Sequence, residues 1–368
     1  MNKNPFNPTF GDVPKLFLRR DTENEVGNII NMIEDSYFDR SIFITGVRGV
    51  GKTSLMMRVS KSLEDNKDFY IVDLINREGI LSSLFRLLSN QVNSKLQQTL
   101  KSINSVSNSV SNSVSIGKIS VSRDVESPNT DILLDELMSG IKKEGKKVLI
   151  TIDEVTNSKP IRDMIQIFSS FKRKKYPVYL LMTGLPDLIL NLQNDEKLTF
   201  LLRSDKVVVS PLQKLDIYTT YQKIFKCNNE IASKLTNMTK GYSYAFQLLG
   251  YILFDEVKDK VPEMNDIENI SHQYKNTLYN NAYQKIFSEL SEKDQQYLYA
   301  VCGDHKLDEI AKIMGKSNVF VAQYRRRAIE RNLVKPTKMG YVAFTLPYFE
   351  DYLQETKDVN SIFYLGLD

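Results

Sequence analysis

The sequence predicts an α/β fold: a parallel sheet covered by helices, then an all-helical segment, then a C-terminal module of helices and a short hairpin. Three observations predict it. Solid apolar runs at 41–45, 69–74, 147–152, 176–183 and 206–209 alternate with stretches of helical periodicity, the pattern of a parallel sheet buried on both faces. From Asp216 to about Lys260 the periodicity is helical throughout, with no strand candidate. From Tyr283 onward the order becomes helix, short helix, turn, basic helix and two short strands.

Composition narrows the class. The chain has 368 residues, enough for two or three domains, with 42% hydrophobic and 26% charged residues, as in a soluble globular protein. No apolar run approaches the roughly 20 residues that span a bilayer, so no membrane partner is expected. Met1-Asn2-Lys3-Asn4-Pro5 lacks the apolar stretch of a signal peptide. Cys227 and Cys302 are far apart and match no metal or disulfide spacing, which points to a reducing, cytoplasmic setting. His272 and His305 are the only histidines, which argues against a histidine-based metal site or a Ser-His-Asp triad. A net charge of +4 permits nucleic-acid contact without arguing for it.

Taken in order, residues 4–20 read as irregular, and Asp21–Asp35 as a helix with Val26, Ile29, Ile30 and Ile33 on one face. Ser41-Ile42-Phe43-Ile44-Thr45 is a buried strand. Directly after it comes Gly46-Val47-Arg48-Gly49-Val50-Gly51-Lys52-Thr53, which fits G-x-x-x-x-G-K-[ST], the phosphate-binding P-loop. Ser54 opens the following helix. Glycines let the backbone turn its N–H groups onto phosphate oxygens, and the helix adds the positive end of its dipole. Lys52 would reach the β- and γ-phosphates of ATP, and the Thr53 hydroxyl would ligate Mg²⁺. No Asn-Lys-x-Asp guanine-reading motif follows, which favours adenine.

Phe69–Leu74 is a second strand and Ile80–Ile103 reads as one long helix. The segment about 102–126 is low in complexity, with Asn-Ser-Val-Ser repeated at 104, 108 and 112. It is either a flexible insertion or a β-hairpin arm with Val106, Val110 and Val114 on one face. Thr130–Lys143 is helical. The strand Lys147–Ile152 runs into Asp153-Glu154, which supplies what a P-loop needs: a carboxylate for the Mg²⁺ shell, Asp153, and a general base for water, Glu154. Thr183-Gly184 closes the fourth strand, where Thr183 would hydrogen-bond the attacking water or a γ-phosphate oxygen, or simply cap the strand. Arg203 precedes the fifth strand and would either stabilise a neighbouring subunit's γ-phosphate or form a surface ion pair. Arg48 is expected at the surface or at an interface.

With these motifs in this order, the chain resembles AAA+ ATPases of the origin-recognition-like and STAND groups over roughly residues 4–350. The resemblance implies a nucleotide-binding α/β domain at 1–212, a helical lid at 213–282 and a winged-helix domain at 283–368. It implies that Asn4-Pro5-Phe6 to Pro14 and Leu18-Arg19-Arg20-Asp21 clamp the adenine, with Arg19 standing where the family has Gly. It makes Thr183-Gly184-Leu185-Pro186 the sensor-one region. The lid departs from both groups. Origin-recognition members carry a sensor-two arginine and STAND members a Gly-x-Pro; this chain has Gly241-Tyr242-Ser243-Tyr244.

The helix Ser317–Asn332 carries Arg325, Arg326, Arg327 and Arg331, with Asn318, Gln323 and Tyr324, a set suited to double-stranded DNA. Asp304, Asp308, Glu309 and Glu330 offset the arginines and keep a protein-binding winged helix open. The expected protein is a Mg²⁺-ATP-dependent ATPase that self-associates with ATP and engages DNA, in a replication or mobile-element role. The alternative is a STAND-like signalling switch acting on a protein partner.

Overall fold

The structure is a computed structural model that describes residues 3–9, 14–20, 25–34, 41–100 and 130–364. The Ser/Asn/Val-rich insertion at 102–126 lies outside the described residues. The chain divides into two compact units. One holds Val26–Thr45 and Leu55–Val208; the other holds Met1–Glu25, Gly46–Ser54 and Val209–Asp368.

In the first unit the chain order is α1 (Glu25–Glu34), β1 (Ser41–Thr45), α2 (Lys52–Glu64), β2 (Phe69–Leu74), α3 (Ile80–Ser89), α4 (94–100), α5 (Thr130–Lys143), β3 (Lys147–Ile152), α6 (Lys159–Arg173), β4 (Val178–Gly184), α7 (Pro186–Gln193), a 3₁₀ turn (Thr199–Arg203) and β5 (Asp205–Val208). The sheet is parallel throughout, in the order β2-β3-β4-β1-β5. Every residue of β1 and β4 is buried, which is why these strands are solid apolar runs rather than alternating ones. Helix α6 shows the complementary pattern, burying Ile161, Met164, Ile165, Phe168 and Phe171 at helical spacing.

Register sets the functional edge. Thr45 lies opposite Gly184, and Ile152 opposite Met182, so β1 and β4 end level and β3 ends two residues short of them. Strand β1 sits between two strands that both come later in the chain, the switch point beyond which α/β sheets bind ligands.

One sequence expectation changes here. Ile80–Ile103 is not one helix; the chain breaks at 90–93. The Asn93 side chain accepts the N–H of Leu96 at 2.9 Å and so caps a new helix. Gln91 donates to the Ile71 carbonyl at 2.8 Å and accepts its N–H at 3.2 Å. The glutamine amide thus covers backbone groups on the free side of edge strand β2.

The second unit contains α8 (Lys214–Phe225), α9 (Asn229–Thr239), α10 (Ser243–Val257) and α11 (Met264–Leu278). The N-terminal segment is part of it. Phe6 packs its ring within 5.8 Å of Tyr221, Phe225 and Phe246, against Gly250, where a Cβ would lie 2.4 Å from the ring. Arg19 forms a two-pronged pair with Asp216, and Arg20 bridges Leu212. Helix α11 continues without a break through a π-turn (Tyr279–Tyr283) into α12 (Gln284–Ser288). A single rod therefore runs from Met264 to Ser288, across the boundary expected at 282.

After the rod come α13 (Glu292–Val301), α14 (Leu307–Met314), α15 (Asn318–Glu330), the antiparallel strands β6 (Val334–Pro336) and β7 (Val342–Phe344), and α16 (Phe349–Tyr364). The single helix expected over Phe287–Cys302 is split, because Ser291 caps α13 by accepting the N–H of Asp294. Helices α13, α14 and α15 pack on one another. No helix among the described residues is long and apolar enough to cross a membrane.

Candidate nucleotide site

The loop after β1 is built on glycine backbone. Gly49 and Gly51 have φ of 71° and 97°, in the left-handed region that side chains avoid. Space forbids a side chain as well. A Cβ on Gly49 would lie 2.4 Å from the Tyr242 hydroxyl, and one on Gly51 would lie 2.5 Å from a guanidinium nitrogen of Arg20. The Lys52 ammonium curls back over the loop and donates to the carbonyls of Gly46 and Val47, both at 3.0 Å.

Residues at the start of α10 hold this loop. Tyr242 donates its hydroxyl to the Arg48 carbonyl at 2.7 Å. The Tyr244 N–H donates to the Gly49 carbonyl at 3.0 Å. Ser243 donates to the Val50 carbonyl at 2.9 Å. Three consecutive carbonyls are therefore held from one side. In a trans peptide the N–H points opposite to the C=O, so the N–H groups of Gly49, Val50 and Gly51 point away from these contacts.

Two arginines frame the loop. Arg20 is buried, pairs with Glu25 at 3.2 Å and donates to the Ser210 carbonyl at 2.7 Å. Burial pulls its pKa down and the charge of Glu25 opposes that shift. Arg48 makes a two-pronged pair with Glu289, with contacts of 2.7 to 3.2 Å. Burial works against the charge of Glu289, but the hydrogen bonds and charge of Arg48, with Lys285, outweigh it and hold the carboxyl below its usual range. The surface or interface position expected for Arg48 thus becomes a specific contact with the C-terminal part of the chain.

At the carboxyl edge of the sheet, Asp153 and Glu154 follow β3. Thr183 is fully buried in β4, and its hydroxyl donates to the Asp153 carboxylate while accepting the Glu154 N–H at 3.1 Å. The Val155 N–H donates to the Thr183 carbonyl at 2.9 Å. Glu154 takes φ of 51°, a strained value for a glutamate that these bonds maintain, and its side chain is exposed. The Thr183 hydroxyl hydrogen is thus committed to Asp153. It thereby orients the Asp-Glu turn.

Residues 20–183 match a family model described as an ATPase domain predominantly from Archaea. Over this stretch, which holds the P-loop Gly46–Thr53 and Asp153-Glu154, the chain is similar to these ATPase domains. The fold is that of P-loop nucleotide-binding proteins. It is similar to the Walker-type ATPase of Pyrococcus abyssi, at 13% identity, with 92% of this chain and 96% of that one covered and a TM-score of 0.58. It is also similar to the ORC2 protein of Aeropyrum pernix in ADPNP–ADP complexes, at 11% identity, 96% and 98% coverage and a TM-score of 0.53. Residues 280–353 match a model described only as a domain of unknown function. No curated protein matches the sequence.

In the same unit as the sheet, Arg203 ends the 3₁₀ turn and is exposed, while its neighbour Ser204 is buried and hydrogen-bonded to Ser41 at 2.7 Å. The four arginines of α15 and its cap are not equivalent. Arg331 is buried and shares Asp294 with Arg327, at 3.0 and 2.8 Å. Arg326 is exposed and paired with Glu330 at 2.7 Å, and Arg325 buries its Nε. Arg331 and Arg327 hold α15 on α13, and the burial of Arg331 takes it out of the expected basic surface. The outward face of α15 is Asn318, Val319, Ala322, Gln323 and Arg326.

Motif reading of the ATPase missed Tyr242, Ser243 and Glu289. Tyr242 and Ser243 stand where a sensor-two motif would be sought, and neither matches one. Nothing in the sequence pairs Glu289 with Arg48, 241 residues away.

Proposed function

We propose that this ATPase binds Mg²⁺-ATP, that nucleotide state governs its self-association, and that its C-terminal module engages double-stranded DNA. Lys52 and the N–H groups of the loop bind the phosphates. Thr53 would offer Mg²⁺ a hydroxyl and Asp153 a carboxylate, both hard oxygen donors. The metal, when bound, draws charge from the phosphate oxygens. Glu154 takes the proton of the attacking water, held at its post by Thr183.

Arg203 acts on the phosphates of an adjoining subunit. Its exposure supports this, as does its neighbour Leu202, which is 60% exposed, since an apolar side chain beside an arginine suits a contact between copies.

We read α13, α14, α15 and the β6–β7 hairpin as a winged helix. The observation that carries the DNA reading is the outward face of α15. It presents two amides, Asn318 and Gln323, beside the small apolar Val319 and Ala322 and the cation of Arg326. Amides suit adenine edges and small apolar groups suit thymine methyls. Lys335 and Lys338, both exposed on the hairpin, would meet phosphates. The test is duplex binding by fluorescence anisotropy with Glu154→Gln protein in Mg²⁺-ATP and then ADP, over a salt series. Binding that needs ATP and weakens steeply with salt supports the reading.

A second reading, a STAND-like switch that opens onto a protein partner, is favoured by one observation. The lid grips the P-loop backbone directly, without a sensor-two arginine. Absence of duplex binding in both nucleotide states would select it.

A further inference from the structure

We infer that the rod from Met264 to Ser288 transmits the state of the P-loop to the C-terminal module. This rests on the ATPase reading and adds its route of regulation. Two neighbouring loop residues hold the rod at two points. The Gly49 carbonyl accepts the Tyr244 N–H at 3.0 Å, and the Tyr244 hydroxyl accepts from Asn281 at 3.0 Å, in the π-turn of the rod. The Arg48 guanidinium grips Glu289, the residue that caps the rod's far end.

The far end is fastened to the module beyond it. Gln295 in α13 donates to the carbonyls of Phe287 and Leu290 at 2.9 and 3.3 Å. Tyr283 hydrogen-bonds the Pro347 carbonyl and packs edge-on against Phe349, with centroids 5.1 Å apart. A shift of the rod therefore displaces α13 and the residues that lead into α16.

The input follows from peptide geometry. Phosphates are held by the loop's N–H groups, and rotation of a peptide plane toward them moves the carbonyl on its other side. The carbonyl of Gly49 bonds to Tyr244, one contact away from Asn281, and the Arg48 side chain starts one residue earlier. The π-turn is the yielding element, since its wide hydrogen-bond ring accommodates a change of register that a regular α-helix resists.

The experiment is backbone hydrogen exchange of residues 292–301 in full-length Glu154→Gln protein, alone, with Mg²⁺-ADP and with Mg²⁺-ATP. Nucleotide affinity is measured in parallel with a fluorescent ADP. The expected result is a change in α13 exchange of about fivefold or more on ATP addition, the lower range of allosteric coupling. Adding Glu289→Ala with Asn281→Ala should abolish that change while nucleotide still binds. By reciprocity the affinity should shift by a similar factor. Should the double variant misfold, Glu289→Gln alone keeps the shape and removes the charge, and should weaken the response. Unchanged exchange in a protein that binds nucleotide overturns the inference, as does a full response in the variants. Failure to bind any nucleotide overturns the ATPase reading itself, and the inference with it.

Discussion

Tyr242 donates its phenolic hydrogen to the backbone carbonyl of Arg48, 194 residues away in the chain, at 2.7 Å. The bond fixes the peptide plane whose other side presents the Gly49 N–H. Tyr242→Phe removes the bond and leaves a part-buried carbonyl with one fewer donor, a loss of about 1–3 kcal/mol. The expected outcome is a melting temperature lowered by a few degrees and nucleotide affinity reduced about tenfold, the latter being about 1.4 kcal/mol. Calorimetric melting and titration with ATP check both. Unchanged values in the variant would show that the plane is held without the tyrosine.

Four buried phenols set an alkaline limit. Tyr221, Tyr242, Tyr274 and Tyr283 all have their pKa pushed above 10 by burial. The native state therefore keeps these protons at a pH where the unfolded chain releases them. With fewer protons bound in the unfolded state, stability falls as pH rises. It is flat below the unfolded value near 10 and declines above it, by about 1.4 kcal/mol per pH unit for each phenol that stays protonated. Melting temperature followed from pH 8 to 11 should hold and then drop; a flat profile to pH 11 would contradict the burial of these hydroxyls.

Thr183 tests whether the Asp-Glu turn depends on β4. Thr183→Val keeps the shape but removes the hydroxyl that donates to Asp153 and accepts from Glu154. Glu154 then loses a bond that maintains its positive φ. The expected outcome is a fall in kcat of about 10- to 100-fold, the scale for a catalytic group displaced by about 1 Å, with ATP affinity nearly unchanged. Thr183→Ser should recover most of the rate. An equal loss of affinity and turnover, not rescued by serine, would mean a folding defect instead.

The legibility of the sequence differed by element. The sheet was readable because β1 and β4 are buried along their whole length, so apolar runs and strands coincide. The loop motif was readable because glycine is demanded at Gly49 and Gly51 by φ and by contact. Helix interruptions at 90–93 and 289–291 were not, because Asn93 and Ser291 act through side-chain caps that leave the apolar periodicity intact. Arg48–Glu289 and the contacts of Tyr242, Ser243 and Tyr244 on the P-loop were not, because long-range pairs leave no periodic trace. The α15 arginines were legible as charge, but which ones face outward is decided by Asp294, on another helix.

That carboxylate separates structural from surface arginines. Asp294 is 3% exposed and receives both Arg327 and Arg331. Asp294→Ala leaves the buried Arg331 without its carboxylate, a change that costs about 3–5 kcal/mol when one partner of a buried pair is removed. The expected outcome is early loss of structure in α13–α15, seen as faster hydrogen exchange there. Arg326 is the contrast, since its ion pair with Glu330 is exposed and such pairs contribute at most about 1 kcal/mol. Arg326→Ala should leave the melting temperature unchanged. If α15 faces DNA, it should also weaken duplex binding and lower the salt slope by about one unit. A stable Asp294→Ala protein would show that Arg331 finds other acceptors, and an Arg326→Ala protein with undiminished duplex binding would remove α15 from the interface.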